Sequence, residues 1–246
     1  MPWTYGIHSV ETLLDDAPET VQELWLVQSR RPGDARTRVL DRAREQGIRF
    51  RLVTDQQLRG AVGEVTHQGV AARVLEFDYT AEEDLLARPG RSLLVVLDEV
   101  QDPHNLGSIM RSACAFGATG VVIPRHRAAT VTAAVRKVAA GAASRLPVAR
   151  VVNVARFLEQ AKSAGFWTYG AVVEEGTAAW DVDFAERTVL VLGSEGRGLR
   201  PAVRSGCDVA VTLPMEGVES LNVSVAAGMF LYEWRRSLAK KPIDTP

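Results

Sequence analysis

The sequence predicts an α/β protein built on a mainly parallel sheet, preceded by a smaller α/β unit. Two observations carry this. Runs of Val, Leu and Ile such as SLLVVLDEV (92–100), GVVIP (120–124) and TVLVLGSEG (188–196) are continuously apolar instead of alternating, as strands covered on both faces are. Segments of helical period stand between them, the alternation that gives a sheet with helices on either side. With 246 residues, 46% of them hydrophobic, the chain can bury a sizeable core and exceeds the usual size of one domain.

In order along the chain, the first unit (1–78) reads as a strand at VQELWLV (21–27), a helix near 34–46, a strand at RFRLV (49–53), a helix near 55–62 and a strand at GVAARVLEF (69–77). The stretch YTAEEDLLARPGR (79–91) turns acidic and ends in Pro-Gly, as a linker does. From Ser92 to the end (92–246) the alternation is stronger: SLLVVLDEV, a helix at 105–116, GVVIP, a helix at 131–144, LPVARVV, a helix at 153–164, WTYGAVV, TVLVLGSEG, VAVTLPM and a closing helix within 213–236. Ligands of such sheets bind beyond the strand C-termini. Three polar or Gly-rich loops fall there: DEVQDPHNLGSIMR, LGSEGRGLR and LPMEGVESLN.

Composition narrows the function. With no bilayer-spanning apolar run and no leader pattern at MPWTYGIHSV, the chain reads as a cytoplasmic protein without a membrane partner. Cys114 and Cys207 stand far apart with no CxxC or His-rich spacing, so they read as core thiols and no metal site is expected. The net charge of −1 gives no global reason to expect a nucleic acid, but its distribution does. Between Ser29 and Val53 eight arginines face three acids, and between Arg125 and Arg150 six basic residues face none. Such local patches suit a phosphate backbone, with Arg30, Arg31, Arg125 and Arg127 as the RNA-binding candidates. A solvated helix face is the alternative, above all for 36–45, where acids interleave.

Each loop has a plain reading beside the functional one. Asn105 and Arg111 share the helix after DPHNLG; Arg111 either pairs with Asp98, Glu99 or Asp102 or faces a substrate phosphate. The turn GSEGRG has neither the GK[ST] nor the GxGxxG spacing of a nucleotide cradle, and Glu195 would repel a phosphate; a carboxylate beside free amides suits a cationic or zwitterionic ligand carrying an adenosine-like part. Ser220, Asn222 and Ser224 open the last helix, where one cap would suffice, so capping and ligand contact are both open.

Taken together, DPHNLGSIMRSACAFG, LVLGSEGRGL and LPMEGVESLNVSVAAGMFLYE resemble the three ordered motifs of the SpoU (TrmH) branch of the SPOUT methyltransferases. YGIHSVETLL and THQGVAA resemble the N-terminal RNA-binding domain, L30e-like, of members that methylate a guanosine ribose of 23S ribosomal RNA. Ala139 stands where relatives often carry Ser. The resemblance implies a deep C-terminal trefoil knot, which connection rules alone would not give. It also implies a homodimer whose active site is completed across the interface, and 23S ribosomal RNA or a pre-ribosomal particle as partner. It places S-adenosylmethionine against Gly193, Glu195, Gly196, Leu213, Met215, Ser220, Leu221, Asn222 and Val223. The catalytic group it implies is Asn105, Arg111, Glu195, Ser220 and Asn222. A guanidinium rarely gives up its proton, so Arg111 is better suited to stabilise an alkoxide and grip a phosphate than to act as base. The competing readings are a tRNA ribose methyltransferase, toward which His8, His67 and Gln68 in the extra domain do not tilt, a non-catalytic ribosomal-RNA-binding protein, and a nucleotide-dependent oxidoreductase, which would need the missing GxGxxG.

Overall fold

In the computed structural model, which describes residues 3–28 and 33–239, the chain divides into two compact units: Met1–Asp78 with Thr132–Lys137, and Tyr79–Val131 with Val138–Pro246. The first runs β1 (Trp3–Tyr5), α1 (Ile7–Asp16), β2 (Val21–Val27), α2 (Ala35–Glu45), β3 (Phe50–Val53), α3 (Asp55–Val62) and β4 (Val70–Val74). Its sheet has the order β1-β4-β2-β3, with β4 antiparallel to both neighbours and β2 parallel to β3. Asp34 caps α2 through Thr37 N–H, and Thr54 with Gln57 forms a capping box on α3. Val10, Leu13 and Leu14 of α1 and Val39 and Ala43 of α2 are buried with Leu24, Leu26, Val70 and Ala72 of the sheet.

The arginine excess of this unit is largely offset in three dimensions. Arg38 pairs with Glu11, Arg42 with Asp15 and Arg51 with Glu23, acids that lie outside the basic segment of the sequence. Arg30 and Arg31, the RNA-binding candidates, lie outside the described residues. His67 and Gln68 have structural partners: His67 Nδ1 accepts from Gly69 N–H and Gln68 Oε1 from Ile7 N–H.

The second unit runs α4 (Glu82–Leu86), β5 (Ser92–Asp98), α5 (Pro103–Ala115), β6 (Gly120–Pro124), β7 (Val148–Val151), α7 (Val154–Ser163), β8 (Trp167–Ala171), β9 (Thr177–Ala178), β10 (Arg187–Gly193), α8 (Pro201–Gly206), β11 (Val209–Thr212) and α9 (Val223–Ala239), while α6 (Ala133–Ala139), between β6 and β7 in the chain, belongs through Lys137 to the first unit. Its sheet has the order β7-β6-β5-β10-β8-β11-β9, and every pairing is parallel. Leu94, Val96, Val122, Val189 and Val191 pack with Phe157, Leu158 and Val203 of α7 and α8. The alternate residues Leu93, Val95, Leu97, Leu190 and Leu192 are equally buried, and α5 and α9 pack on each other and touch β6 and β10. Coverage of both faces explains the unbroken apolar runs.

Three expectations change. The stretch 79–91 carries α4, and its fully buried Leu85 belongs to the sheet core, so that part packs as the second unit does. The helix expected over 131–144 stops at Ala139, because Ala140 (φ 46°) and Gly141 (φ 83°) take left-handed conformations that no helix continues through. Cys114 and Cys207 are half-buried, not core thiols. Among the described residues no helix is long and apolar enough to cross a membrane.

Candidate active site

The three loops meet because of strand order. β5 and β10 are neighbours with Gly193 beside Asp98 in register, so the loops leaving their C-termini emerge side by side. α5 then opens on Pro103, with Asp102 capping His104 N–H, which sets Asn105 inward in the first turn, buried. After β10 the chain doubles back: Ser194 and Gly198 exchange both backbone hydrogen bonds, at 3.1 and 2.9 Å. The reversal is so tight that a Cβ on Gly193 would lie 2.1 Å from the carbonyl carbon of Gly198. It leaves Glu195 at the tip of the turn.

Glu195 Oε1 accepts from Asn105 Nδ2 at 3.0 Å, from Asn222 Nδ2 at 2.5 Å and from Val223 N–H at 3.4 Å. Asn222 Nδ2 also donates to Asn105 Oδ1 at 3.0 Å, while Asn222 Oδ1 accepts from Ser224 N–H at 2.9 Å and from Ser224 Oγ at 2.6 Å. Asn222 is thus the cap of α9 and a strut of the site at once: its carbonyl oxygen satisfies the helix and its amide hydrogens tie the other two loops. One carboxylate and two amides from three distant loops form a closed hydrogen-bonded set.

Beside this set lies a cavity of about 540 Å³, within the size range of cofactor sites. Gly193, Glu195, Gly196, Leu213, Met215, Ser220, Leu221 and Val223 line it; Asn222 stands in the hydrogen-bonded set instead. Sequence reading missed other parts of the lining, among them Leu192, Ala226 and Phe230 on the apolar side, and Glu174, Glu175 and Glu219 with Arg197 and Arg204 on the polar side. Residues 172–175 follow the C-terminus of β8, and that strand end was the available signal. Burial pushes the thiol of the half-buried Cys207 up to about 12, which disfavours its thiolate.

Arg111 does not join the triad within one chain. It is exposed on α5 and makes no ion pair or side-chain hydrogen bond among the described residues. The acids that could have claimed it are engaged elsewhere. Asp98 binds Arg200, Glu99 stands near Arg127 and Arg200, and Asp102 caps α5. Arg200, absent from the sequence-derived set, is joined to the fully buried Asp98 through its backbone N–H (2.9 Å) and Nε (2.8 Å). Arg125 and Arg127 are exposed past the end of β6. The acid-free segment that follows is not one binding face: Arg150 donates to Arg125 O and stacks on Tyr79, and Lys137 pairs with Asp16.

Hydrogen-bonded polar groups beside a cofactor-sized cavity, at the strand ends of a parallel sheet covered on both faces, are the arrangement of an α/β cofactor-binding protein. Residues 92–232 match the model of the SpoU rRNA Methylase family, and the chain belongs to that family. Residues 3–80 match the model described as RNA 2′-O ribose methyltransferase substrate binding. Over 236 residues the chain is 44% identical to the 23S rRNA (guanosine-2′-O-)-methyltransferase RlmB of Xanthomonas campestris, covering 94% of each chain. It is 43% identical to the RlmB protein of Pseudomonas aeruginosa, covering 93% of this chain and 94% of that one. Among solved structures it is similar to the SpoU methyltransferase AviRb of Streptomyces viridochromogenes in complex with AdoMet, at 29% identity and TM-score 0.62, covering 97% of this chain and 91% of that one.

Proposed function

We propose that the protein transfers a methyl group from S-adenosylmethionine to the ribose 2′-hydroxyl of a guanosine in 23S ribosomal RNA, in the cytoplasm. The carrying observation is the Asn105–Glu195–Asn222 set at the edge of the cavity, and the activity for which relatives at 43–44% identity over nearly the whole chain are named supports it. In this reading 1–78 presents the RNA and 92–246 performs the chemistry.

The cavity fits the donor by its chemistry. Leu213, Met215, Leu221 and Phe230 offer an apolar wall for the adenine, while Glu174, Glu175 and Glu219 are carboxylates suited to a cationic ligand. When bound, the cofactor would supply a methyl group on a sulfonium; transfer to the ribose oxygen would release the neutral thioether and one proton from the 2′-hydroxyl, which passes to solvent. Alignment is then the main task of the protein, worth as much as about 7–11 kcal/mol. Glu195 fixes both asparagines, Asn105 and Asn222 orient donor and ribose, and Ser220 at the cavity wall adds a hydroxyl. Arg111 stabilises the alkoxide forming at O2′ and holds the adjacent phosphate.

Because α5 turns Arg111 outward, this role requires a second protomer. Val225, Met229 and Tyr232, at helical spacing on α9 and about half exposed, form an apolar stripe suited to a two-fold interface. Val223, Ala227, Phe230 and Leu231 of the same helix are buried within the chain, and Ala226 lines the cavity. The family's deep trefoil knot belongs to the same reading. It is supported by β10 entering between β5 and β8, β11 entering between β8 and β9, and α9 returning to α5. The first unit is read as L30e-like.

The test is methyl transfer from labelled S-adenosylmethionine to a 23S rRNA transcript, with the modified position mapped by reverse-transcription stops at low nucleotide concentration. A single 2′-O-methylguanosine is expected, in the presence of chelator as in its absence. Methylation confined to tRNA, or methylation of a base, would overturn the reading.

A further inference from the structure

A second charged cluster sits on the C-terminal edge of the large sheet. The loops that follow three adjacent strands, β6, β5 and β10, each contribute one residue: Arg127, Glu99 and, at the N-cap of α8, Arg200. Asp98, fully buried, takes Arg200 through its backbone N–H, its Nε and its Nη2, the last at 2.6 Å, which fixes the guanidinium plane. Arg200 Nη1 then stands 3.6 Å from Glu99 Oε1, and Arg127 Nη1 stands 3.6 Å from the same oxygen. That oxygen is buried and has no hydrogen-bond partner. The carboxylate therefore attracts both cations without occupying their donors.

The backbone of the cluster is strained as well. Glu99 (φ 62°) and Arg127 (φ 58°) both adopt the left-handed region that disfavours side chains, and a hydrogen bond from Ala129 N–H to Val100 O ties their loops together. Strain of this kind persists where its surroundings over-determine it, and it concentrates at ligand sites. The ordinary reading is a surface ion pair. Such pairs between flexible side chains contribute little and would not sustain two strained residues, and Glu99 is only 13% exposed while Arg127 is 77% exposed.

We propose that Glu99 is a positioning residue that holds the guanidinium groups of Arg127 and Arg200 as a two-armed clamp for a phosphate of the RNA strand beside the target ribose. The proposal rests on RNA being the substrate. An RNA whose ribose reaches the loops after β5 and β10 must cross this strand-end edge, where the fork of Arg127 and the Nη1 of Arg200, whose Nε and Nη2 are held by Asp98, present N–H donors to phosphate oxygens. Such a contact sets register without reading sequence.

The sign of one substitution decides the matter. If Glu99 were only a negative charge near the RNA path, Glu99→Gln would tighten RNA binding. As a positioning residue, its loss should raise KM for a 23S rRNA transcript roughly tenfold, the worth of one charge-assisted contact, with kcat at saturating RNA and S-adenosylmethionine affinity held within about twofold. Glu99→Gly, whose backbone accepts the left-handed conformation freely, should raise KM equally while keeping or raising Tm, which separates the effect from misfolding. Arg127→Ala should lower the slope of log KM against log salt by about 0.7, one phosphate on single-stranded RNA. In that background the Glu99→Gln penalty should shrink. Tighter or unchanged RNA binding in Glu99→Gln, or a penalty of full size in the Arg127→Ala background, would overturn the clamp. A wild-type protein that methylates no RNA would instead sink the substrate reading, and filter binding of the same transcript would still read the clamp.

Discussion

Glu195 shows how much one side chain does here. Its Oε1 collects hydrogen bonds from Asn105, Asn222 and Val223, so the turn that presents it must hold its shape. Gly193→Ala should break that turn, since the added Cβ would sit 2.1 Å from Gly198 backbone that has nowhere to move. We expect a cost of about 3 kcal/mol or more and a loss of S-adenosylmethionine binding, checked by denaturant unfolding and calorimetry. Arg111 and Asn222 should separate chemistry from binding. Arg111→Ala should lower kcat roughly 10²–10³-fold with cofactor affinity unchanged within a few fold, as loss of an oxyanion-stabilising group does. Asn222→Ala removes the strut and the cap of α9 together, and should damage both cofactor affinity and turnover. Single-turnover methylation at saturating cofactor beside calorimetric titration distinguishes the two; normal turnover in Arg111→Ala would return that residue to the surface.

At the scale of elements, the edge opposite the site is pinned by Asp208. Its carboxylate accepts from Thr168 N–H (2.9 Å) and Thr168 Oγ1 (2.7 Å) and pairs with Lys162 of α7 at 2.7 Å, holding β11 to β8 and the helix above them. Burial alone would raise the carboxyl, but the hydrogen bonds from Lys162 and Thr168 outweigh it and hold Asp208 below the ordinary range. A depressed folded-state pKa stabilises above the unfolded value, about 3.9, and that contribution disappears as pH falls through the folded value. Lys162→Met should therefore lower Tm at neutral pH, with the gap to wild type closing below about pH 4. A gap independent of pH would assign the effect to lost packing. Several elements were legible in the sequence: β2, α3 and β6 lie where the apolar pattern put them. Short ones were not, because α8 (PAVRSG) and the two-residue β9 are too brief for a period to register, and their places are set by neighbouring strands.

For the whole molecule, the proposed dimer makes a prediction that a monomeric site cannot share. If Arg111 of one protomer serves the triad of the other, mixing Arg111→Ala with Glu195→Ala should restore about a quarter of wild-type turnover, because half the dimers would carry one intact site of two. A site complete within one chain would give no recovery. Met229→Glu, in the middle of the exposed stripe on α9, should yield monomers by light scattering and remove turnover while leaving the fold intact.

The sequence by itself determined the α/β class with its mainly parallel sheet and the three polar loops at strand ends. Each of these is local: a run of apolar side chains, a turn or a spacing within one loop. Only the tertiary structure decided which loops meet, since Asn105 lies 90 residues from Glu195 and 117 from Asn222, and they touch because β10 pairs with β5 and α9 returns to α5. It also decided the fate of the charges. Arg38, Arg42 and Arg51 found acids on other elements, Arg111 found none among the described residues, and Asp98 and Glu99 went to Arg200 and Arg127. Hydrophobic period is written along the chain, whereas strand order and ion pairing depend on contacts between residues far apart in it, which is why pattern predicted the elements and could not predict the cluster at Glu99.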